Sequence, residues 1–171
     1  MFSVRREALP DDALLKTYRG AIHPERWGAY ADCFAITAPG NVDLAAFVFA
    51  FYTSPLFRIE GFILHALLGA TSSKAAASRL ANGSAGEFAA WYVGHRTATQ
   101  LLMCDRYERT RSWFCVAPVE GGGTRLLFGS AVASKRNETA PLSRRRGSFR
   151  LLLSFHIVYS QMLLRAAKAN L

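Results

Sequence analysis

This 171-residue chain has few cysteines, and its first residues do not show the pattern of an export signal. Its three cysteines, Cys33, Cys104 and Cys115, have no paired metal-binding spacing, and an odd count is typical of a reducing compartment. Residues 1–10 contain arginines but lack the apolar core that a secretory signal carries after its basic start. We therefore expect a cytoplasmic protein.

A long uninterrupted apolar run is missing as well. The most hydrophobic region, residues 44–68, is broken by Pro55, Arg58 and Glu60, whereas a membrane-spanning helix needs roughly 20 consecutive apolar residues. This region therefore predicts two buried or half-buried helices, one on each side of Pro55.

Catalytic signatures are scarce. The sequence has no Gly-x-Ser-x-Gly elbow and no phosphate-binding glycine loop, and its four histidines lack the spacing of a zinc-binding helix, so we expect no metal and no cofactor. The best acid or base candidates are Asp105, Glu108 and His95, near the ends of predicted strands. For Asp105 the simpler interpretation is an ion pair with Arg106 or Arg109.

Acidic residues are few: 12 Asp and Glu stand against 21 Lys and Arg, and the last 38 residues carry seven of the nine surplus positive charges. A cationic end favours phosphates, anionic lipid or an acidic partner. Arg144, Arg145 and Arg146 are its densest point and would lie against an anionic membrane surface. The plainer alternative is a solvated basic loop. No nucleic-acid reading motif accompanies the charge, so nucleic acid is not an expected partner.

The residues that are present predict a single α+β domain over residues 1–171. Residues 1–29 form a polar lead-in segment, and YADCFAITA then alternates as a first strand with Asp32, Phe34 and Ile36 on one face. A helical insertion follows, closed by Asn82-Gly83. Four extended segments come next, and residues 148–168 return to a helical pattern. We expect an antiparallel sheet packed on that long C-terminal helix.

Two of the extended segments, RTRSWFCVAP and TRLLFGSAV, predict a hairpin and also its register. A five-residue loop over residues 119–123 places like residues opposite each other on one face: Val116 with Leu126, Phe114 with Phe128, and Ser112 with Ser130. A slip of one residue would destroy all three pairs. On the other face Trp113 would lie across from Gly129.

The paired face changes character along its length. It is apolar near the loop and polar at the far end, through Thr110, Ser112 and Ser130. If this face turns towards the C-terminal helix, it has the composition of a ligand pocket, mostly hydrophobic with a few placed polar groups. The alternative is that the hydroxyl groups lie at a solvated strand end.

The order of elements resembles the START-like superfamily (Bet v 1, helix-grip or SRPBCC proteins). Phrases across residues 27–168 resemble, more closely, an uncharacterised bacterial branch of it: YADCFAI, FVFAFYTSPLFRIEGFIL, RTRSWFCVAP, TRLLFGSAV and FHIVYSQMLLRAA. The resemblance implies that the protein encloses a small hydrophobic molecule such as a lipid, sterol or polyketide, in some members with catalysis. This chain has fewer strands and a bulkier helical section, which implies a small or filled cavity.

We therefore expect the protein to bind a small hydrophobic molecule between the sheet and the C-terminal helix. The residues expected to contact it are an apolar floor of Phe114, Val116, Leu126 and Phe128, the polar handles Ser112 and Ser130 with Thr110 beyond them, and the lid residues Tyr159 and Met162. His156 is a further candidate, for which the alternative is a hydrogen-bonded core histidine. One alternative is an enzyme acting on such a ligand, cyclase- or hydratase-like, with Asp105 or His95 as acid or base. Another is a module that dimerises through an apolar outer face around Trp113, Cys115 and Leu127.

Overall fold

A computed structural model describes residues 3–17, 30–58, 73–107, 110–132 and 142–171. Within these ranges the strands and helices are β1 (Arg5–Arg6), α1 (Leu14–Thr17), β2 (Tyr30–Ala38), α2 (Leu44–Tyr52), α3 (Lys74–Ala81), β3 (Glu87–Phe88), β4 (Trp91–Arg96), β5 (Gln100–Asp105), β6 (Thr110–Pro118), β7 (Thr124–Val132) and α4 (Leu142–Ala169). Residues 55–58 are also helical.

The strands form one open antiparallel sheet in the order β1–β2–β7–β6–β5–β4–β3. Helix α1 lies between β1 and β2, and the other helices lie between β2 and β3 and at the C-terminal end. The α+β class, the antiparallel sheet and the long C-terminal helix predicted from the sequence are confirmed. The remainder of the helix predicted after Pro55 lies outside the described residues.

The predicted hairpin register is confirmed by the pairing of β6 with β7. Ser112 pairs with Ser130, Phe114 with Phe128 and Val116 with Leu126, while Trp113 lies opposite Gly129. A Cβ atom added at Gly129 would stand 3.0 Å from Trp113 Cε3 and 2.9 Å from the Asp32 carbonyl oxygen. Glycine is therefore needed at this position because the indole ring covers the backbone there.

One face of the sheet carries the main core, and helix α2 covers it. The ring of Phe51 on α2 lies 4.8 Å from the rings of both Phe114 and Phe128, between centroids. Phe47 lies 5.6 Å from Phe114, edge to face. Asp43 caps the helix that presents these rings, because its carboxylate accepts a hydrogen bond of 2.7 Å from Ala46 N. The capped helix thus holds aromatic side chains against the middle of the sheet.

The opposite face is covered by the lead-in segment, to which the sequence assigned no packing role. Leu9 and the buried residues Ala13, Leu14 and Leu15 pack against it, and Trp113 is fully buried. Cys115 and Leu127 are also buried. The outer face on which the dimerisation hypothesis depends is therefore not a free surface, because the lead-in segment of the same chain covers it.

Three element boundaries differ from the sequence prediction. The segment EFAAWYVGHRT contains two strands, because Ala89 takes a left-handed conformation (φ 52°) and turns the chain between β3 and β4. A two-residue strand, β1, precedes the predicted first strand and pairs with it. Helix α4 begins at Leu142, so the arginine cluster expected in a loop lies within its first two turns.

Within the described ranges, no helix combines the length and the apolar character needed to cross a membrane.

Gln100 joins the lead-in segment to the sheet. Its Oε1 atom accepts hydrogen bonds from Trp113 Nε1 at 2.8 Å and from Leu14 N at 3.0 Å, and the side chain is buried. We expect Gln100→Leu to lower the free energy of unfolding by about 2–6 kcal/mol, because two buried donors lose their acceptor at roughly 1–3 kcal/mol each. Urea denaturation measures this loss, and a change below about 0.5 kcal/mol would contradict the assigned role.

Candidate functional site

A row of polar side chains crosses three neighbouring strands on the helix-covered face. Register places Asp32 of β2 beside Ser130 of β7, and Ser130 beside Ser112 of β6. The next row along the same strands is Phe34, Phe128 and Phe114. The polar row therefore begins where the aromatic core ends.

Ser130 is the centre of a buried hydrogen-bonded cluster. Its hydroxyl group donates to Asp32 Oδ1 at 2.7 Å, and its backbone N–H donates to the same oxygen at 3.2 Å. The Nε2 atom of His156, on α4, lies 2.6 Å from Ser130 Oγ. Asp32 and Ser130 are each only 3% exposed, and His156 is half-buried. The cluster therefore ties the long helix to the sheet through polar groups.

The single hydroxyl proton of Ser130 determines which atom donates in its contact with His156. A hydroxyl group has one proton, and here Asp32 receives it, so Ser130 Oγ can only accept from the imidazole ring. His156 Nε2 must then carry a hydrogen atom. This order places serine between the acid and the histidine, which differs from a nucleophilic triad, where histidine stands in the middle and takes the serine proton.

The expected apolar floor lies inside the filled core. Phe114, Leu126 and Phe128 are at most 4% exposed, and the Phe51 ring occupies the space over Phe114 and Phe128. The structure therefore does not have the open floor at these two rings that the sequence suggested. The reason is that helix α2 contributes large aromatic side chains directly above them.

The lid side chains divide into two groups. Buried positions on α4 recur at Ser160, Leu163, Leu164 and Ala167, and His156 lies on the same side of the helix. Tyr159 is half-buried and packs against the core. Met162 was expected to face the sheet and does not, since it is 46% exposed. The apolar residues of α4 itself are distributed around the whole helix. Hydrophobicity alone therefore does not identify its buried side.

Two of the three acid or base candidates, Asp105 and His95, are not brought together. The Asp105 carboxylate accepts a hydrogen bond from Thr110 N at 3.2 Å and lies 3.9 Å from Arg111 Nη1, an arginine that the sequence did not propose as its partner. His95 is exposed, beyond an irregularity of β4. Asp105 pairs with Trp91, and His95 lies four positions further along β4, roughly 13 Å along a strand.

Glu108 and Arg109 lie outside the described residues. Arg106 instead pairs with Glu87 at 3.1 Å. No group of three or more metal-ligating side chains that could hold an ion is found in the part of the chain that the structure describes.

A groove of about 630 Å³ lies at the other end of the sheet, beside the β6–β7 loop. Val42 and Leu44 line it from the start of α2, Thr99 from the β4–β5 connection, and Val116 and Ala117 from β6. Its volume lies within the usual range for small-molecule pockets. Of the residues expected to contact a ligand, Val116 is the one that borders this groove.

Sequence reasoning did not assign Asp32 to the site. The available signal was the alternation of β2, which placed a carboxylate on the same face as Phe34 and Ile36. An aspartate on an otherwise apolar strand face requires a buried partner. Its partner Ser130 is 98 residues away in the sequence, so only the strand order could reveal it.

In three comparisons, no protein-family model, no curated protein and no solved structure matches this chain.

Burial makes the thiols of Cys33 and Cys115 poor nucleophiles. Burial, with Asp32 and Cys115 nearby, raises the pKa of Cys33 to about 12, and burial with Asp12 nearby raises the pKa of Cys115 to about 11. We expect neither thiol to react with a thiol-specific disulfide reagent at about pH 8 until the protein is unfolded in guanidinium chloride. Fast labelling of either thiol in the native protein would contradict this placement.

The same pKa shifts make the stability of the folded protein fall at alkaline pH. Thiols in the unfolded chain ionise near pH 9.0, whereas the folded thiols stay protonated until about pH 11 to 12. Their contribution is present below pH 9.0 and is lost as pH rises through the folded values. Urea midpoints measured in Cys33→Ala and in the natural protein should therefore converge as the pH rises above 9.0.

Proposed function

We propose that the protein binds a small, largely apolar molecule between the sheet and α4, at the end of the face where Asp32, Ser130 and Ser112 lie. The observation that carries this proposal is the buried Asp32–Ser130–His156 cluster at the edge of an aromatic core. Ligand pockets combine a mostly apolar wall with a few placed polar groups that fix orientation. This end of the face has both components.

Side-chain size supports the location. In the aromatic row, phenylalanine side chains from the sheet meet Phe47 and Phe51 of α2. In the polar row, Ser130 and Ser112 are the side chains of β7 and β6, and each has far less volume than phenylalanine. Half-burial of Ser112 and His156 leaves a route to this row from the solvent. A ligand is therefore proposed beside the aromatic core and not above Phe114 and Phe128.

The resemblance to START-like proteins points in the same direction. A long C-terminal helix against an antiparallel sheet is the arrangement that the helix-grip resemblance implies, and α4 contacts the sheet through β2. We propose on this ground that the chain is a helix-grip protein whose pocket is reduced to one end of the sheet. The aromatic side chains of α2 account for the reduction.

A matched pair of leucine substitutions on β6 tests this proposal. Ser112 and Ala117 are both small and half-buried, but Ser112 belongs to the polar row and Ala117 borders the groove at the hairpin end. We expect Ser112→Leu to weaken binding of 1-decanol by about tenfold or more, because the added side chain occupies the proposed site. Isothermal titration calorimetry measures the dissociation constants.

Ala117→Leu is the control and should change the dissociation constant by less than about threefold. The opposite pattern, with binding lost in Ala117→Leu alone, would assign the ligand to the groove. Absence of binding in the natural protein to 1-decanol and to longer alcohols would contradict the proposed function.

We further propose that the start of α4 contacts an anionic membrane surface. Its first two turns contain Arg144, Arg145 and Arg146. The first turn has no acidic residue to offset the positive end of the helix dipole. Positive charge there is unfavourable for the isolated helix, and anionic lipid would relieve it. Arg146 precedes His156 by ten residues, about 15 Å along the axis, so the surface contact and the polar row share one helix.

Replacement of the three arginines by glutamine should weaken binding to vesicles that contain phosphatidylserine by roughly a hundredfold, at about 1 kcal/mol for each charge. Binding of the natural protein should also fall steeply with added salt. Vesicle sedimentation measures both effects.

The control removes three positive charges elsewhere, at the exposed side chains of Arg5, Lys74 and Arg79, in Arg5→Gln, Lys74→Gln and Arg79→Gln. Equal losses in the two triple variants would mean that net charge alone governs the attraction, and the proposed contact of α4 would then be wrong.

A further inference from the structure

The carboxylate of Asp32 is incompletely bonded within its own cluster. Oδ1 accepts two hydrogen bonds from Ser130, at 2.7 Å from Oγ and 3.2 Å from the backbone nitrogen. Oδ2 is buried and has no hydrogen-bond partner among the described residues. The residue is only 3% exposed, so bulk water does not satisfy this atom.

The neighbouring donors are already committed. The hydroxyl proton of Ser130 goes to Oδ1, and the Nε2 proton of His156 goes to Ser130. Neither group has a further proton at these atoms to offer Oδ2. A buried acceptor without a donor costs about 1–3 kcal/mol, and more when it is charged. The cluster therefore presents an acceptor that a donor from outside it would satisfy.

Asp32 lies beside the place proposed for the ligand. It lies on the helix-covered face, in the same row as Ser112 and next to the row of Phe34. A molecule that places its apolar body beside the aromatic core would place its polar end near this row.

We propose that Asp32 Oδ2 accepts a hydrogen bond from the polar head of the bound molecule, and that the ligand is therefore an apolar molecule ending in a hydroxyl or an amine group. This inference rests on the proposed function and gives its ligand a chemical class. A carboxylate or phosphate head is disfavoured at this place, because it would bring a second acceptor and a like charge to a buried carboxylate.

The net charge of the protein makes the preference informative. With a net charge of +9, general attraction favours anionic molecules. A preference for hydroxyl or ammonium heads runs against that attraction and must come from a local group.

Three probes with the same ten-carbon chain test the inference: 1-decanol, decylammonium and decanoate, each titrated calorimetrically at about pH 7. We expect the two donor heads to bind the natural protein at least tenfold more tightly than decanoate, the usual effect of one hydrogen bond to a charged group. In Asp32→Asn the preference should fall below about threefold, because an amide can donate as well as accept.

The comparison in the natural protein requires no substitution and stands even if Asp32→Asn fails to fold. Equal binding of all three probes, or tighter binding of decanoate, would overturn the inference and leave the proposed function intact. Absence of binding by all three would instead contradict the proposed function itself.

Discussion

The pairing of β2, β7 and β6 in one fixed register is the constraint on which the rest of the structure depends. Side chains alternate between the two faces of a strand, so a slip of one residue would exchange every side chain between them. The observed register places Asp32, Ser130 and Ser112 in one row and Phe34, Phe128 and Phe114 in the next, on the same face. Trp113 and Cys33 go to the other face. The aromatic core and the polar cluster are thus consequences of one set of strand pairs.

Both faces of such a sheet require cover, and the chain supplies it from two sources. Helix α2 brings Phe47 and Phe51 onto the middle of one face, while Leu9 and residues 13–15 cover the other. What α2 does not cover with rings is the polar end, which α4 reaches through His156. The division explains why an aromatic core and a polar cluster can coexist on one face: the rings of α2 pack over the core, and His156 of α4 reaches the polar cluster.

The sequence predicted the hairpin because its information is local. Val116, Phe114 and Ser112 meet residues of their own kind across a short loop, and only one register satisfies all three pairs. Asp32 escaped assignment because its partner Ser130 is brought beside it by a strand order that local patterns do not encode. The packing of the lead-in segment over Trp113 was not predicted for the same reason: Leu14 N donates a hydrogen bond to Gln100, which is 86 residues away in the sequence. On α4 the apolar residues are too evenly distributed for periodicity to exclude Met162 from the buried side.

The most direct test of the account is a two-dimensional amide correlation spectrum of the protein during titration with 1-decanol. If the molecule binds at the polar end of the helix-covered face, the amide signals of Asp32, Ser112 and Ser130 should shift together and saturate with one dissociation constant. Shifts confined to Thr99, Ala117 and Gly123 would place the ligand in the groove at the hairpin end and contradict the assigned site. A spectrum that does not change would contradict the binding of apolar molecules altogether.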